Sequence, residues 1–147
     1  MANKAIKFEI VTPERVVLSR DIFQVTVPTT SGEITVLADH IPLVSIIKPG
    51  VLEIVLVDGQ REIVSISGGF LEVMRDKIVV LSDTAERAEE LDETRIEEAR
   101  ARAEEMKKEV NNPDEVQFAN IAAQLEKTMA RSKALTRWRR LKNIDRS

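Results

Sequence analysis

Between residues 78 and 96 the chain reads IVVLSDTAERAEELDETRI, and within that stretch one apolar rhythm stops and another begins. Upstream of Arg87 the rhythm has period two. Ile6, Phe8 and Ile10 alternate with polar neighbours, as do Phe23, Val25 and Val27, the pattern of half-buried strands. Further strands are predicted at Ile34–Leu37, Val51–Val57, Ile63–Ile66, Phe70–Val73 and Ile78–Leu81. Asp58-Gly59 predicts a tight hairpin turn, because glycine supplies the positive φ that a primed turn requires. Thr29-Thr30-Ser31-Gly32, Lys48-Pro49-Gly50, Ser67-Gly68-Gly69 and Arg75-Asp76-Lys77 punctuate the rest. Many short strands with no helix between them indicate a β-sandwich or barrel.

Downstream of Arg87 the period is helical. Ile96, Ala99, Ala103, Met106 and Val110 recur at spacings of three and four, one narrow apolar stripe on a charged helix. Asn111-Asn112-Pro113 breaks it, with Asn112 placed to cap the next helix and Glu115 to complete a capping box. Phe118, Ala122, Leu125 and Met129 form the second stripe, so the two helices make an antiparallel hairpin. The fold class is α+β, with residues 1–87 as a β-domain and 88–147 as a helical hairpin. The hairpin's seam is rich in alanine, and at about 25 cal/mol per Å² small side chains bury little. A marginally stable hairpin follows, which suits a switch as well as a strut.

Composition narrows the function. The 147 residues are 43% hydrophobic and 32% charged, which supports a packed domain. A net charge of −3 argues against a dedicated nucleic-acid binder. With no cysteine and one histidine, His40, thiolate zinc sites and two-imidazole sites are excluded. No apolar run reaches the roughly 18–20 residues of a membrane helix, so membrane association is expected only through partner proteins. Asp39 beside His40 is no catalytic dyad, because neighbours on extended chain face opposite ways. Carboxylate pairs such as Glu104-Glu105 lie on an exposed helix, where nothing raises a pKa.

Charge is uneven within the hairpin. Its first helix is acidic, from Glu89-Glu90 to Glu109, while Arg131, Lys133, Arg137, Arg139, Arg140, Lys142 and Arg146 make the C-terminus basic around Trp138. A solvated, mutually paired face is one reading. The other is a docking surface for an acidic partner, with Trp138 as its anchor.

Longer blocks carry a family likeness. Gly32-Glu33-Ile34-Thr35-Val36-Leu37-Ala38-Asp39-His40-Ile41-Pro42-Leu43-Val44, followed by Ile47-Lys48-Pro49-Gly50, resembles the signature of the ATP synthase epsilon subunit. Ser67-Gly68-Gly69-Phe70-Leu71-Glu72-Val73 and Val80-Leu81-Ser82-Asp83-Thr84-Ala85-Glu86-Arg87-Ala88 are similar to two further blocks, in the same order. The resemblance implies a ten-stranded β-sandwich at the foot of a rotary stalk, against the gamma subunit and the ring of c subunits. Glu33 and His40 then fall on ring-facing loops; alternatively they are an edge-strand acid and a histidine satisfied within its turn. The hairpin is implied to lie folded on the sandwich or to extend along gamma. Extended, its basic helix meets acidic loops of the catalytic beta subunits and blocks ATP hydrolysis. No active site, metal or required cofactor is implied. The resemblance further implies a peripheral place on a membrane-bound complex, and with no transit segment present the cytoplasmic face of a bacterial plasma membrane is expected over an organelle.

Some bacterial members bind a regulatory ATP through Ile/Leu-Asp-x-x-Arg-Ala. Leu91-Asp92-Glu93-Thr94-Arg95 matches, but Ile96 replaces the alanine. Arg102, Lys127 and Arg131 stand where further phosphate contacts fall, with Lys127 in place of an arginine's fork. The competing reading makes Asp92 a helix cap and Ile96 the start of an apolar stripe. Two other functions compete with the rotor subunit: a free-standing β-sandwich binding module with a helical dimerisation tail, and a small enzyme built on Asp39 and His40.

Overall fold

The computed structural model describes residues 4–109 and 114–145. Nine strands come first: β1 (Ile6–Val11), β2 (Val16–Thr29), β3 (Gly32–Leu37), β4 (Leu43–Ile47), β5 (Gly50–Leu56), β6 (Arg61–Ile66), β7 (Gly69–Val73), β8 (Lys77–Leu81) and β9 (Ala85–Arg87). A 3₁₀ turn over Ala88–Glu90 leads to α1 (Glu93–Glu109) and α2 (Glu115–Asp145). Ten strands were expected. Nine are described, and the longest, β2, runs unbroken for 14 residues and serves several partners along its length. Its first half pairs with β1 and its second half with β3 and β5, across a register shift between Ile22 and Gln24.

That irregularity corrects a face assignment. Ile22 and Val25 are fully buried while Phe23 is only half-buried, since a bulge resets the alternation between them. Every strand pairing is antiparallel except that of β1 with β8. The sandwich core gathers Phe8, Ile10, Ile22, Leu52, Ile54, Leu71 and Ile78. β4 and β9, absent from the sequence reading, complete the sheet: β4 pairs with β7, and β9 with β6.

The hairpin between β5 and β6 forms where expected, by a different turn. Gly59 N–H donates to Leu56 O at 2.9 Å, and Leu56 N–H to Gln60 O at 2.8 Å. Gly59 has a positive φ but Asp58 does not, so this is a three-residue loop rather than a two-residue primed turn. At Gly69 the glycine is obligatory, because a Cβ there would drive into the Leu81 carbonyl and φ is +143°.

In β6 the four residues Ile63 to Ile66 are all buried, breaking period two. Both faces are covered. Val64 and Ile66 join the sandwich core, while Ile63 joins Val51, Ala88 and Ala134 in a second cluster flanked by Leu91, Trp138 and Leu141. The hairpin therefore lies folded on the sandwich, with α2 against β5 and β6. The expected seam needs correction too. Met106, Phe118 and Met129 are exposed, whereas Ile96 and Ala103 of α1 and Ile121, Thr128, Ala130, Ala134 and Leu135 of α2 are buried. α2 thus has two buried stripes, one for α1 and one for the sheet.

Asp92 caps α1 by accepting from Thr94 N–H at 2.9 Å. α2 is capped by Asp114, which accepts from Gln117 N–H at 2.7 Å, in place of the expected Asn112. Asn111, Asn112, Pro113, Val110 and Arg146 lie outside the described residues. No helix among the described residues is long and apolar enough to cross a membrane.

Candidate functional site

Three surfaces gather chemistry. The first is the basic half of α2. Arg131 reaches β9, where its Nε donates to Glu86 at 2.7 Å. Arg137 lies 3.6 Å from Glu53 of β5. Arg139 forms a bidentate pair with Glu93 at the start of α1, at 3.1 and 2.8 Å. That pair lowers the Glu93 pKa and raises that of Arg139, through its hydrogen bonds first and its charges second. Three of the five basic residues expected to dock on a partner are thus held by the chain's own carboxylates. Lys133 and Arg140 are exposed and have no such pair among the described residues. Trp138, expected as a partner anchor, packs instead on the chain's own sheet, with Lys142 Nζ 4.1 Å from its ring centroid.

The junction below is also clamped. Arg87 donates from Nε and Nη2 to Glu62 at 3.3 and 2.7 Å, and Nη2 also meets Glu89 at 2.7 Å. Burial works against the Arg87 charge, but the Glu62 hydrogen bond and the neighbouring carboxylates outweigh it and raise the pKa.

The second surface is a cavity of about 380 Å³ between α1 and α2. Arg102, Lys127 and Arg131 all line it, so half of the expected nucleotide-contacting set converges. The other half does not line this cavity. Leu91 belongs to the apolar cluster under α2, Asp92 caps α1, and Arg95 is exposed.

The third surface is the outer face of β4, β7 and β8. Ile46 stands opposite Phe70, and Phe70 opposite Leu81, making a cross-strand row of large apolar side chains. These three are 54%, 55% and 45% exposed, and Val44 beside them 71%, a contiguous apolar patch of the kind that marks an interaction surface. Sequence reading gave β7 and β8 as strands without assigning their faces and did not include β4, so the row left no signal there.

Glu33 and His40 do not come together as a pair. Glu33 is exposed on β3, opposite Pro28, and lines a groove beside α2. His40 is half-buried, and its Nδ1 donates to the Ile41 carbonyl at 2.7 Å. Asp39 turns away to Lys4 at 3.0 Å, from a turn with φ of +67°, so the two neighbours are separated by a turn and not by extended chain. No imidazole–carboxylate dyad exists there.

Comparison with known proteins agrees with this architecture. Residues 5–88 match the family described as ATP synthase, Delta/Epsilon chain, beta-sandwich domain. The ATP synthase epsilon chain of Desulforamulus reducens is 43% identical over 131 residues, which span 89% of this chain and 97% of the relative. That of Chloroflexus aggregans is 48% identical over 98 residues, 67% of this chain and 70% of the relative. Among solved structures, the chain is similar to one in the Euglena gracilis mitochondrial ATP synthase assembly of OSCP, F1 and c-ring. The TM-score there is 0.75 at 27% identity, covering 89% of this chain and 81% of that one. A chain of the Tetrahymena thermophila central stalk and c-ring shares the fold, with a TM-score of 0.62 at 14% identity over 92% and 99%.

Proposed function

The chain belongs to the epsilon-chain family of ATP synthases, and from that membership we propose that it is a non-catalytic central-stalk subunit whose hairpin is a reversible brake on ATP hydrolysis. The observation that carries the brake is how α2 is held. Its apolar contact with the sheet is small, and its edges are ion pairs from Arg131 and Arg137 to the sandwich and from Arg139 to α1. Exposed or half-exposed pairs of this kind contribute about 0–1 kcal/mol each, so the closed hairpin is within reach of a modest competing contact. Opening frees the same arginines. Arg131, Lys133, Arg137, Arg139 and Arg140 then present one basic helix to acidic loops of the beta subunits, so that docking on self and docking on partner exclude each other.

The sandwich is the part that attaches to the stalk. The exposed row of Ile46, Phe70 and Leu81 buries against gamma, and Glu33 at the start of β3 and His40 on the turn after it face the c ring. Contact with the membrane, at its cytoplasmic face in a bacterium, runs through the assembled complex. A regulatory ATP would occupy the cavity of Arg102, Lys127 and Arg131, where its phosphates tie α1 to α2 and favour the closed state.

The test is a truncation after Glu90 in the assembled complex. Full assembly with faster ATP hydrolysis is the expected result; unchanged hydrolysis removes the brake. A sandwich that fails to copurify with gamma and c subunits removes the stalk assignment instead. Calorimetry with ATP on the isolated chain settles the nucleotide, since no heat at millimolar ligand would close that question.

A further inference from the structure

A groove of about 490 Å³ runs between the second half of α2 and the turn that joins β4 to β5. Lys48 comes from that turn, and Lys133, Arg137 and Arg140 from α2; Glu33 is the one carboxylate in the lining. Arg137 is already paired with Glu53, which leaves Lys48, Lys133 and Arg140 against Glu33 in a chain with net charge −3. Elsewhere α2 matches its arginines to acids, but Lys48, Lys133 and Arg140 have no carboxylate within ion-pair distance among the described residues. Cations of one sign lining a groove without carboxylate partners add their fields there, so an unmatched cluster of this kind favours a bound anion.

The sandwich-side wall is rigid. Pro28 and Pro49 form part of it, and the turn is fixed by Lys48 N–H donating to Pro28 O at 3.0 Å. A Cβ on Gly50 would come within 3.0 Å of Pro28 Cγ, so backbone and proline ring already meet closely. On the other wall, 133, 137 and 140 share a helix face by their spacing of four and three. The volume is in the range of small-molecule sites and exceeds what a single phosphate fills.

We propose that this groove binds a small polyphosphate or multiply phosphorylated metabolite, at a site separate from the cavity of Arg102 and Lys127. Because its cations come from both the sandwich and α2, the ligand binds only the closed hairpin and holds it shut. At ten times its dissociation constant such a ligand raises the ratio of closed to open about elevenfold. The site is a property of the isolated chain and does not rest on the stalk assignment.

Pyrophosphate is the probe, titrated by calorimetry at fixed ionic strength into the full chain carrying Arg102→Ala and Lys127→Ala, which silences the other cavity. Saturable binding is expected. Adding Lys133→Ala with Arg140→Ala weakens it about tenfold or more, and Lys48→Ala alone, on the opposite wall, weakens it as well. Absence of saturable heat, or binding indifferent to Lys48, Lys133 and Arg140, overturns the proposal. So does cosedimentation with anionic phospholipid vesicles without pyrophosphate binding, which would make the cluster a membrane-facing surface and not a ligand groove.

Discussion

Strands β5 and β6 are shared by two interfaces of very different build. Their inner face contributes Leu52, Ile54, Val64 and Ile66 to a core with Phe8, Ile10 and Ile78. Their outer face offers Val51 and Ile63 to Ala88 and Ala134, with Trp138 and Leu141 half-buried at the margin and ion pairs around it. One backbone thus carries a deep interface of many buried branched and aromatic side chains and a shallow one of few buried side chains edged by charge. The difference teaches how a permanent domain and a detachable one coexist in a short chain: burial depth sets permanence, and surface charge sets which partner the detachable part prefers.

Breaking the deep interface has the largest effect. Phe8→Ala removes a fully buried ring and costs about 3–5 kcal/mol, read as a lower denaturant midpoint for the whole chain. The hairpin is lost with it, because α2 has no platform once β5 and β6 separate. Trp138→Ala attacks only the shallow interface and costs about 1–2 kcal/mol of docking. Hydrogen exchange should then speed up in α2 while β1, β5 and β8 keep their protection. Equal loss in both regions would show that the two interfaces are one cooperative unit. Trp138 is the sole tryptophan, so its emission also reports docking in every variant that keeps it.

The deep interface was legible from sequence and the shallow one was not, for reasons that particular residues show. Ile6, Phe8 and Ile10 announce β1 because one face of that strand meets the core and the other is polar. β4 gave no such signal: Val44 and Ile46 place large apolar side chains on its exposed face, so the alternation disappears. β9 spans only three residues, too few for any period. Ile63 to Ile66 are all buried, so β6 showed as an apolar run with nothing to say what covers its outer face. Ala134, Trp138 and Leu141 carry the docking stripe of α2; alanine gives little signal beside Phe118 and Met129, which face solvent, and Trp138 stands among arginines that read as a basic docking face. Of the nucleotide set, Lys127 and Arg131 are one helical turn apart and could be grouped by spacing, whereas their meeting with Arg102 depends on how α1 packs. The groove of Lys48 and Glu33 with α2 is wholly tertiary and left no trace in local pattern.

A smaller effect sharpens where the two regions join. Glu62→Gln keeps the shape of the side chain but removes the charge that holds Arg87 between β6 and the 3₁₀ turn. Both side chains are mostly buried, at 22% and 15% exposure, so a loss of about 1 kcal/mol is expected. Thermal melting of the full chain measures it. The decrease should persist in a chain truncated after Glu90, because the pair lies before the hairpin; a loss seen only with the hairpin present would transfer this clamp to the shallow interface.

Acidification gives the smallest change and acts on the detachable region through one contact. Arg139 holds the Glu93 carboxyl below its ordinary value of 4.5, so the folded chain binds that proton more weakly than the open one. The contribution of this clasp is therefore fully present above 4.5 and fades as pH falls through the depressed folded value. Arg139 remains charged throughout, so Glu93 alone sets the window. Glu9, held low by its hydrogen bond with Lys77, titrates with the same sign but sits on the sandwich, where the deep interface masks its loss. Acid should accordingly shift Trp138 emission toward that of exposed indole before the strands melt. In Glu93→Gln the clasp is already neutral, and the early part of that shift should disappear. If it persists unchanged, the acid-sensitive contact lies elsewhere than the Glu93 clasp.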